Sequence, residues 1–495
     1  MYDVAIVGAG PTGAVAAKLC GVHGLSAVAF DRAPDVYDLP RAVAMWDDVQ
    51  RILQNAGLLD AVLPATCVQV GGEFVTPDGR RLTGLEIPAG FTTPSGHPVL
   101  RGFHQPALER AVRAGLAAHP DVQLQVAHEI VALTQHDDRV TLTVRDLADD
   151  ATATVGARWV LGCDGASSFV RKACGIAWRS LGYDCEWLVV DVQLKRDDVG
   201  LSPLTQQVCD PARPVTLVPG PHRTHRWELQ LRPGETRAEM EDPARVWELL
   251  RPWITPADAD VVRAVVYRFH ATIAETFRRG RVFLAGDAAH QTPPFMGQGL
   301  CSGLRDVDNL IWKLAMVRRG VAGDTLLDTY TTERHPIAIG MVAHSVNTGR
   351  LIDAYAAMVA GGPEPPDELK AYGYGGTAEL PHVTAGLIVP GDSPWIGRYV
   401  PQVPVVTDDG VGLLDDIVGP RWAIVAKDDP RALLSPDERR YWQGAGAAFV
   451  RVPEPAGAML SLFLAHRLVV ARPDRIVYAV DAAPVLPEST SIGVG

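Results

Sequence analysis

The chain has 495 residues, more than a single hydrophobic core usually supports, so we expect two or three domains. Hydrophobic residues make up 47% and charged residues 21%, which is typical of globular proteins and excludes a disordered chain. The 46 basic and 58 acidic side chains give a net charge of −12, which disfavours nucleic acid and anionic membranes as partners. We find no signal-peptide pattern and no apolar run of the roughly 20 residues that a membrane span needs, so we expect no membrane partner and a cytoplasmic location.

The seven cysteines form neither a CxxC pair nor a Cys/His cluster at the spacing of a zinc site. Their odd number and scattered positions predict reduced, buried thiols, as is usual in the cytoplasm. We therefore expect no metal site.

The first thirty residues carry the pattern of a dinucleotide-binding unit. An apolar strand over 4–7 leads into a glycine-rich turn, followed by a helix of small residues and a second strand. The residues of the turn are Gly8, Gly10, Pro11, Thr12 and Gly13. Its glycines leave room for a tight bend, for a pyrophosphate at the helix N-terminus and for a close helix–strand contact. Asp31 and Arg32 end the second strand, where a carboxylate accepts hydrogen bonds from a ribose, so the context predicts a dinucleotide without deciding between FAD and NAD.

The chain then passes through two contrasting patterns. Apolar residues at helical spacing predict helices over 47–59 and 105–118. Short apolar runs predict strands at 122–126, 130–133, 140–144 and 159–161. From about 180 to 275, several runs alternate with a period of two and predict a mostly antiparallel sheet that covers a ligand. These runs are 187–194, 215–218, 227–231 and 265–269.

A second glycine motif follows a buried strand predicted over 282–285. Gly286 and Asp287 follow that strand directly, and Pro294 belongs to a rigid Pro-Pro wall without N–H donors. Gly297, Gly299 and Leu300 then open an amphipathic helix. An Asp at the end of a strand suits a ribityl chain, and a helix N-terminus suits the anionic pyrimidine end of reduced flavin. In company with the first motif, this pattern favours a flavin.

Three separated motifs resemble the fingerprints of the class A FAD-dependent aromatic hydroxylases, which have the p-hydroxybenzoate hydroxylase fold. They are Gly8-x-Gly10-x-x-Gly13, Cys163-Asp164-Gly165 through Arg171, and Gly286-Asp287-Ala-Ala-His290. The segments 39–43, 293–299 and 301–306 are most similar to the 3-(3-hydroxyphenyl)propionate hydroxylase branch. The resemblance spans about residues 1–350, and the tail resembles the thioredoxin-like domain of the phenol hydroxylase branch. No cysteine follows Cys301, so the resemblance there implies no dithiol chemistry.

The patterns and the resemblance together predict an α/β fold with a discontinuous, Rossmann-like FAD-binding domain. This domain takes residues 1–180 and 276–360, and a mostly antiparallel substrate-binding domain takes 181–275. A Pro/Gly-rich linker over 361–394 leads to the thioredoxin-like domain over 395–495.

The resemblance also implies roles for individual residues. Asp31 is expected to bind the adenosine ribose, Arg41 to lie along the flavin, and Gln105 to contact the diphosphate–ribityl stretch. The remaining implied contacts are Asp164 for FAD and the nicotinamide cofactor, Asp287 for the ribityl chain and Pro294 for the isoalloxazine. There is no second glycine fingerprint, so the choice between NADH and NADPH stays open.

By the same resemblance, NADH or NADPH reduces FAD, and a C4a-hydroperoxyflavin formed with O2 hydroxylates a phenolic, 3-hydroxyphenylpropionate-like ring. Phenolate is the stronger nucleophile, and Asp47 and Asp48, close to Arg41, are the carboxylates expected to manage its proton. The pKa of a phenol lies about six units above that of an ordinary Asp, so proton transfer requires a desolvated Asp or a relay through water. Two solvated acids favoured by a helix dipole explain these residues equally well.

Other interpretations stay open. His290 is expected to be structural, whereas His222 and His225 are either exposed loop histidines or contacts for the substrate. The substrate alternative is a polycyclic aromatic metabolite. The functional alternatives are an FAD-dependent dehydrogenase or reductase without oxygen insertion, and a non-catalytic flavin-binding module. A halogenase is disfavoured because the WxWxIP segment is absent, and a homodimer is compatible with the sequence.

Overall fold

The computed structural model describes residues 1–39, 41–408 and 410–486. Its strands, in chain order, are β1 (Tyr2–Val7), β2 (Ala27–Asp31), β3 (Ala44–Trp46), β4 (Thr66–Val68), β5 (Gly71–Val75), β6 (Arg81–Glu86), β7 (Leu100–Phe103), β8 (Val122–Val126), β9 (His128–Gln135), β10 (Val140–Asp146), β11 (Thr152–Gly162), β12 (Trp178–Leu194), β13 (Thr205–Val208), β14 (Val215–Pro219), β15 (Thr224–Gln230), β16 (Ala259–Ala274), β17 (Arg278–Arg279), β18 (Val282–Leu284), β19 (His290–Gln291), β20 (Pro404–Thr407), β21 (Gly410–Leu413), β22 (Ala423–Ala426), β23 (Ala448–Arg451), β24 (Leu468–Ala471) and β25 (Val477–Val480).

The helices follow the same order. They are α1 (Pro11–Val22), α2 (Asp47–Asn55), α3 (Leu59–Val62), α4 (Gln105–Ala114), α5 (Phe169–Ala173), α6 (Arg237–Met240), α7 (Pro243–Leu250), α8 (Gln298–Arg318), α9 (Asp328–Val359), α10 (Asp367–Lys370), α11 (Leu414–Val418), α12 (Pro436–Gly444) and α13 (Gly457–Ala465). Short 3-10 turns cover Leu63–Ala65, Gly115–Ala118, Pro221–Arg223, Gly286–Ala288, Phe295–Gly297, Asp324–Leu327 and Pro430–Leu433.

The first sheet carries the glycine motifs. Its strands lie in the order β17-β18-β11-β1-β2-β8, and β10 and β9 extend it from β11. The pairs from β18 to β8 are parallel. Because parallel strands end at one edge of a sheet, Gly8, Asp31, Cys163 and Gly286 all lie at the same edge. The apolar strand predicted at the N-terminus is β1, and its residues 3–7 are buried.

The second sheet has the order β19-β16-β12-β15-β14-β13-β5-β6. Its pairs are antiparallel except for β13 with β5. The mostly antiparallel arrangement agrees with the sequence pattern of residues 180–275. Strands β5 and β6, however, lie within the range 1–180 that the sequence predicts for the FAD-binding domain. They are short and rich in glycine, so their alternation is weak, and pairing with β13 places them in the second sheet.

The third sheet has the order β21-β20-β23-β22-β24-β25. Only β22 and β23 form a parallel pair, and the other pairs are antiparallel. The strands predicted at 422–426, 449–452 and 468–470 correspond to β22, β23 and β24. Within 361–394 the only regular helix or strand that the structure describes is α10. The predicted range 395–495 extends beyond residue 486, and Pro40 of the 39–43 segment also lies outside the described residues.

Two predicted helices end earlier than expected. The helix predicted over 47–59 is α2, which ends before Gly57, a residue with φ of +65°, and α3 follows it. The helix predicted over 105–118 is α4, which continues as a 3-10 turn from Gly115. Glycine weakens a helix interior, and this accounts for both breaks.

In the part of the chain that the structure describes, we find no helix with the length and apolar character that crossing a bilayer requires. The same residues contain no group of three or more His, Cys, Asp or Glu side chains arranged to hold a metal ion. All seven cysteines are free thiols.

Candidate active site

The glycine-rich turn folds back on the first sheet so closely that two of its glycines leave no room for a side chain. A Cβ on Gly13 would lie 1.9 Å from the carbonyl oxygen of Gly8, and one on Gly8 would lie 2.5 Å from the carbonyl oxygen of Cys163. Gly10 differs, because a Cβ there would meet no atom within 4 Å. Gly10 precedes Pro11, the first residue of α1, and so borders open space at a helix N-terminus that favours anions.

Asp31 ties the end of β2 to this turn. Its carboxylate accepts hydrogen bonds from the backbone N–H groups of Ala9, at 3.0 Å, and Ala33, at 2.9 Å. The guanidinium of Arg113 lies 3.5 Å from the same carboxylate. Arg32 beside it is exposed. The carboxylate thus lies beside the glycine turn, at the position where the sequence predicts a ribose contact.

Thr12 brings the two glycine motifs together. A Cβ on Gly286 would lie 2.9 Å from the Thr12 hydroxyl oxygen, and one on Gly303 would lie 2.4 Å from it. The start of α1, the Gly286 turn and α8 therefore pack without room for larger residues. Asp287 is exposed beside Gly286, and no described residue donates a hydrogen bond to its carboxylate. Gly299 resembles Gly10, because a Cβ there would also meet no atom within 4 Å.

Asp306 holds the Gly286 turn from the buried side. Its Oδ2 accepts hydrogen bonds from the N–H of Gly286 at 3.0 Å and from His290 Nε2 at 2.7 Å. Its Oδ1 accepts one from Arg334 Nε at 2.8 Å. Burial alone would raise the pKa of Asp306, but the charges of His290 and Arg334 hold it below its usual range. His290 is buried and bonded to Asp306, which fits the structural role expected from the sequence.

Replacing Asp306 with Asn should loosen the Gly286 turn and leave the buried Arg334 charge without its counter-ion. An amide has one acceptor oxygen where this carboxylate uses two, so we expect the free energy of unfolding to fall by about 3–5 kcal/mol. Urea unfolding checks this value, and Asp138→Asn in the exposed pair with Arg139 is the matched control. Equal stability of the Asp306 variant and the wild type would contradict the role assigned to Asp306.

The loop before α8 is strained and firmly held. Met296 has φ of +69°, a left-handed conformation that is costly for a residue other than glycine. Trp46 Nε1 donates a hydrogen bond to the Met296 carbonyl oxygen at 2.9 Å, and Ser345 Oγ donates to two other carbonyl oxygens of the loop. Gly297 follows with φ of +64°, and Pro294 is half-buried at the start of the turn. These hydrogen bonds fix the shape of the loop.

The backbone around Arg41 is held on two sides. Gln105 Oε1 accepts hydrogen bonds from the N–H groups of Arg41 and the next residue, at 2.9 and 2.6 Å. Arg226 Nη1 donates to the carbonyl oxygen of Arg41 at 2.5 Å, while its other nitrogens bind Asp191 at 2.7 and 3.0 Å. The Arg41 side chain itself is exposed. Gln105 therefore organises the arginine segment, which adds to the cofactor contact that the resemblance implies.

Asp164 organises the start of α5. Its carboxylate accepts hydrogen bonds from Ser168 Oγ at 2.6 Å and from the N–H of Val170 at 3.0 Å. Burial raises the pKa of Asp164. Its backbone touches the first motif, because a Cβ on Gly8 would lie 2.8 Å from the Asp164 Cα.

Asp47 and Asp48 have different surroundings. Asp48 forms a two-point ion pair with Arg305, with N–O distances of 2.5 and 2.9 Å. Asp47 accepts a hydrogen bond from Thr93 Oγ1 at 2.5 Å, and burial together with the Asp48 charge raises the pKa of Asp47. Both line a cavity of about 240 Å³. The same cavity is also lined by Pro381, Val383, Tyr399 and Ile476.

The candidate histidines of the second sheet do not gather at the motifs. His225 alternates with Arg226 along β15, so the two side chains point to opposite faces, and the His225 ring lies 6.1 Å from that of Trp227. His222 bonds to the carbonyl oxygen of Pro64. The sequence interpretation included Asp306 in the segment 301–306 without giving it a role, and it overlooked Arg226; both contact the motif loops. The alternation of polar and apolar residues along β15, with Arg226 and Glu228 on one face and Trp227 and Leu229 on the other, was the available signal for Arg226.

Two families match the chain. Residues 1–345 match the family described as FAD binding domain, and residues 397–491 match the family described as HcaD C-terminal domain. The first match covers every glycine motif and both large sheets.

Curated relatives match over nearly the whole length. A 3-(3-hydroxy-phenyl)propionate/3-hydroxycinnamic acid hydroxylase of Burkholderia cenocepacia is 35% identical over 97% of this chain and 94% of its own. A probable NADH-specific resorcinol 4-hydroxylase of Rhodococcus jostii is 36% identical over 97% of this chain and 92% of its own.

Solved structures show the same fold. The flavin-dependent monooxygenase PieE, in complex with FAD and substrate, superposes with a TM-score of 0.81 at 22% identity, covering 97% of this chain and 96% of its own. Aklavinone-11 hydroxylase, in complex with FAD and aklavinone, has a TM-score of 0.79 at 24% identity, covering 98% and 96%. The full-length relatives and the match over residues 1–345 show that the chain belongs to the family of FAD-dependent aromatic hydroxylases.

Proposed function

We propose that this chain hydroxylates a single-ring phenol with a second substituent meta to the hydroxyl group, using NADH or NADPH and O2. The observation that carries the proposal is the full-length similarity to two relatives whose names share this substrate feature. Both 3-(3-hydroxyphenyl)propionate and resorcinol are phenols with a meta substituent. The relative named NADH-specific makes NADH the first reductant to test.

The residues of the motif edge fit FAD. Open space beside Gly10 and Gly299 leaves room for a pyrophosphate and for a ring system. The Asp287 carboxylate accepts no hydrogen bond from a described residue, so it is available to the hydroxyl groups of a ribityl chain. Bound FAD supplies hydride acceptance and oxygen activation. The further cofactor contacts we propose are Gly8, Pro11, Thr12, Gly13, Asp31, Arg32, Arg41, Gln105, Asp164, Gly286, Pro294, Gly297 and Leu300.

We propose the finer domain assignment on topology. The parallel strands β18, β11, β1, β2 and β8, with the glycine turn between β1 and α1, support a Rossmann-like FAD-binding domain. The central order β20-β23-β22-β24-β25, with one parallel pair, supports a thioredoxin-like C-terminal domain. The division at 180, 275, 360 and 394 is part of this proposal, except that β5 and β6 are assigned to the substrate-binding domain because they pair into its sheet.

For the chemistry, we propose that Arg41 borders the reacting ring and that the loop at Pro294 keeps water out. Asp47 and Asp48 are the sequence-based candidates for managing the phenol proton. Between these two, the surroundings favour Asp47, because Asp48 is committed to Arg305 and the raised pKa of Asp47 brings it closer to that of a phenol. Both carboxylates, however, line the cavity shared with Pro381 and Tyr399 and not the edge that carries the glycine motifs.

A polycyclic substrate is the second candidate, because aklavinone-11 hydroxylase has the same fold and binds aklavinone. NADH and NADPH oxidation should be measured with resorcinol, 3-(3-hydroxyphenyl)propionate and a polycyclic phenol, with hydrogen peroxide recorded. Strong stimulation by a meta-substituted phenol with little peroxide supports the proposal. Stimulation by the polycyclic phenol alone supports the second candidate. Reductant use indifferent to every phenol would favour a dehydrogenase or a non-catalytic flavin protein.

A further inference from the structure

One face of the second sheet is directed at the loops that border the proposed flavin site. Side chains alternate along β15, so Arg226 and Glu228 share one face, while His225 and Trp227 share the other. Arg226 reaches the carbonyl oxygen of Arg41. On the neighbouring strand β12, Trp187 shares this face, and its ring lies 5.5 Å from the ring of Phe295, the residue after Pro294.

The strand register places Glu228 between these two contacts. Three successive pairs on this face join β12 to β15. Asp191 lies opposite Arg226, residue 189 opposite Glu228, and Trp187 opposite residue 230. Successive pairs on one face are about 7 Å apart. Glu228 therefore faces the interval between the Arg41 segment and the Pro294 loop, where the resemblance places the flavin ring and its substrate.

The Glu228 carboxylate is buried but accepts no hydrogen bond from the described residues. Its side chain is 9% exposed, and among the described residues its one ion-pair contact is Arg226, at 3.9 Å. Arg226 is engaged with Asp191 and Arg41, and Thr216, opposite on β14, donates to Gln207. Buried carboxylates are almost always hydrogen-bonded, so this one is suited to a donor from a bound molecule.

We propose that Glu228 is a catalytic residue that accepts the hydrogen bond and then the proton of the substrate phenol. This inference rests on the proposed function. In the step, the phenol O–H bond breaks, its electron pair stays on the phenol oxygen, and a new O–H bond forms at a Glu228 carboxylate oxygen. The resulting phenolate is the stronger ring nucleophile, and the oxygen atom and electrons come from O2 and NAD(P)H, as the proposed reaction already requires.

Electrostatics support this assignment. Burial raises the pKa of Glu228, the charge of Arg226 lowers it and the charge of Asp191 raises it, with a net increase. Other charged or titratable groups on or near this face include Arg263 and Tyr267 on β16, Cys185 on β12 and Tyr374. Burial and the charge of Glu228 raise the pKa of Tyr374. A raised carboxyl pKa narrows the gap to a phenol, which makes proton transfer less costly.

The test compares Glu228→Gln, Asp47→Asn and the exposed control Glu186→Gln, each loaded with FAD, on a series of resorcinols of decreasing pKa. Loss of a general base should slow turnover of the least acidic phenol by about 100-fold or more in Glu228→Gln. The defect should vanish for a ring-fluorinated analogue that is already ionised in solution, a rescue that a structural role would not give. Loss of rate in Asp47→Asn alone would overturn the assignment to Glu228.

A binding measurement decides the question without turnover. The Glu228 carboxylate should repel a phenolate, so we expect the wild type to bind neutral phenols at least about tenfold more tightly than ionised analogues. Glu228→Gln should remove this preference. Equal binding of both forms by the wild type would overturn the proposal even if the variant failed to fold. If no phenol stimulates the wild type, the proposed function fails and the role of Glu228 fails with it. If phenols stimulate the wild type and Glu228→Gln turns over as fast as the wild type, the role of Glu228 fails while the proposed function stands.

Discussion

Replacing Gly10 with Ala is expected to weaken FAD binding by about 10- to 100-fold while hardly changing the stability of the apoprotein. The new methyl group meets no protein atom within 4 Å, and the backbone of Gly10, with φ of −65°, is one that Ala adopts easily. The methyl group instead enters the space at the N-terminus of α1 where the pyrophosphate is expected. Titration of the apoprotein with FAD, followed by flavin fluorescence, measures the change.

Two other glycines calibrate this result. Gly156→Ala in β11, where the nearest atom lies at 3.8 Å, should leave FAD affinity unchanged. Gly13→Ala should prevent normal folding, because its Cβ would lie 1.9 Å from the Gly8 carbonyl oxygen. FAD affinity of the Gly10 variant equal to that of the wild type would show that the pyrophosphate does not approach this turn.

Replacing Asp415 with Asn is expected to cost about 3–5 kcal/mol of stability, because it leaves two buried arginines without a counter-ion. Asp415 accepts hydrogen bonds from Arg51 in α2, at 2.6 and 2.8 Å, and from Arg475, at 3.1 Å. All three side chains are at most 2% exposed. This cluster joins the third sheet to α2, so its loss should loosen the C-terminal region from the rest of the chain.

The same cluster predicts a pH dependence. Burial would raise the pKa of Asp415, but the charges of Arg51 and Arg475 lower it to about 2. A carboxyl whose pKa is depressed on folding contributes stability above its unfolded value near 4 and loses it as the pH falls through the folded value. Denaturant unfolding should therefore show a gap between wild type and Asp415→Asn that is full at pH 7 and narrows between about pH 4 and 2. A gap independent of pH would contradict the ion-pair explanation, and Asp437→Asn in an exposed pair should show little effect at any pH.

The local motifs were predictable from the sequence because each depends only on residues that are close together in the chain. The strand, turn and helix from β1 to α1 depend on a short apolar run, on glycines and on Pro11 at the first helical position. The strand before Gly286 and the helix α8 follow from the same kind of local pattern.

Contacts between distant segments were not predictable in the same way. Pairing of β5 with β13 joins residues more than a hundred positions apart, and no local sequence pattern predicts this pairing. The commitment of Asp48 to Arg305 likewise depends on how α2 packs on α8, whereas the sequence shows only two acids at a helix start. Glu228 is recognisable only once the register of β12 and β15 shows which face it occupies.

The most direct test of the central claim is to incubate the FAD-loaded protein with NADH and resorcinol under 18O2 and to measure the mass of the product by mass spectrometry. A hydroxylase predicts a product heavier by one oxygen atom, with that atom carrying the 18O label, and NADH consumed in near equal amount. An unlabelled product, or NADH consumption that yields only hydrogen peroxide with every meta-substituted phenol tested, would contradict it.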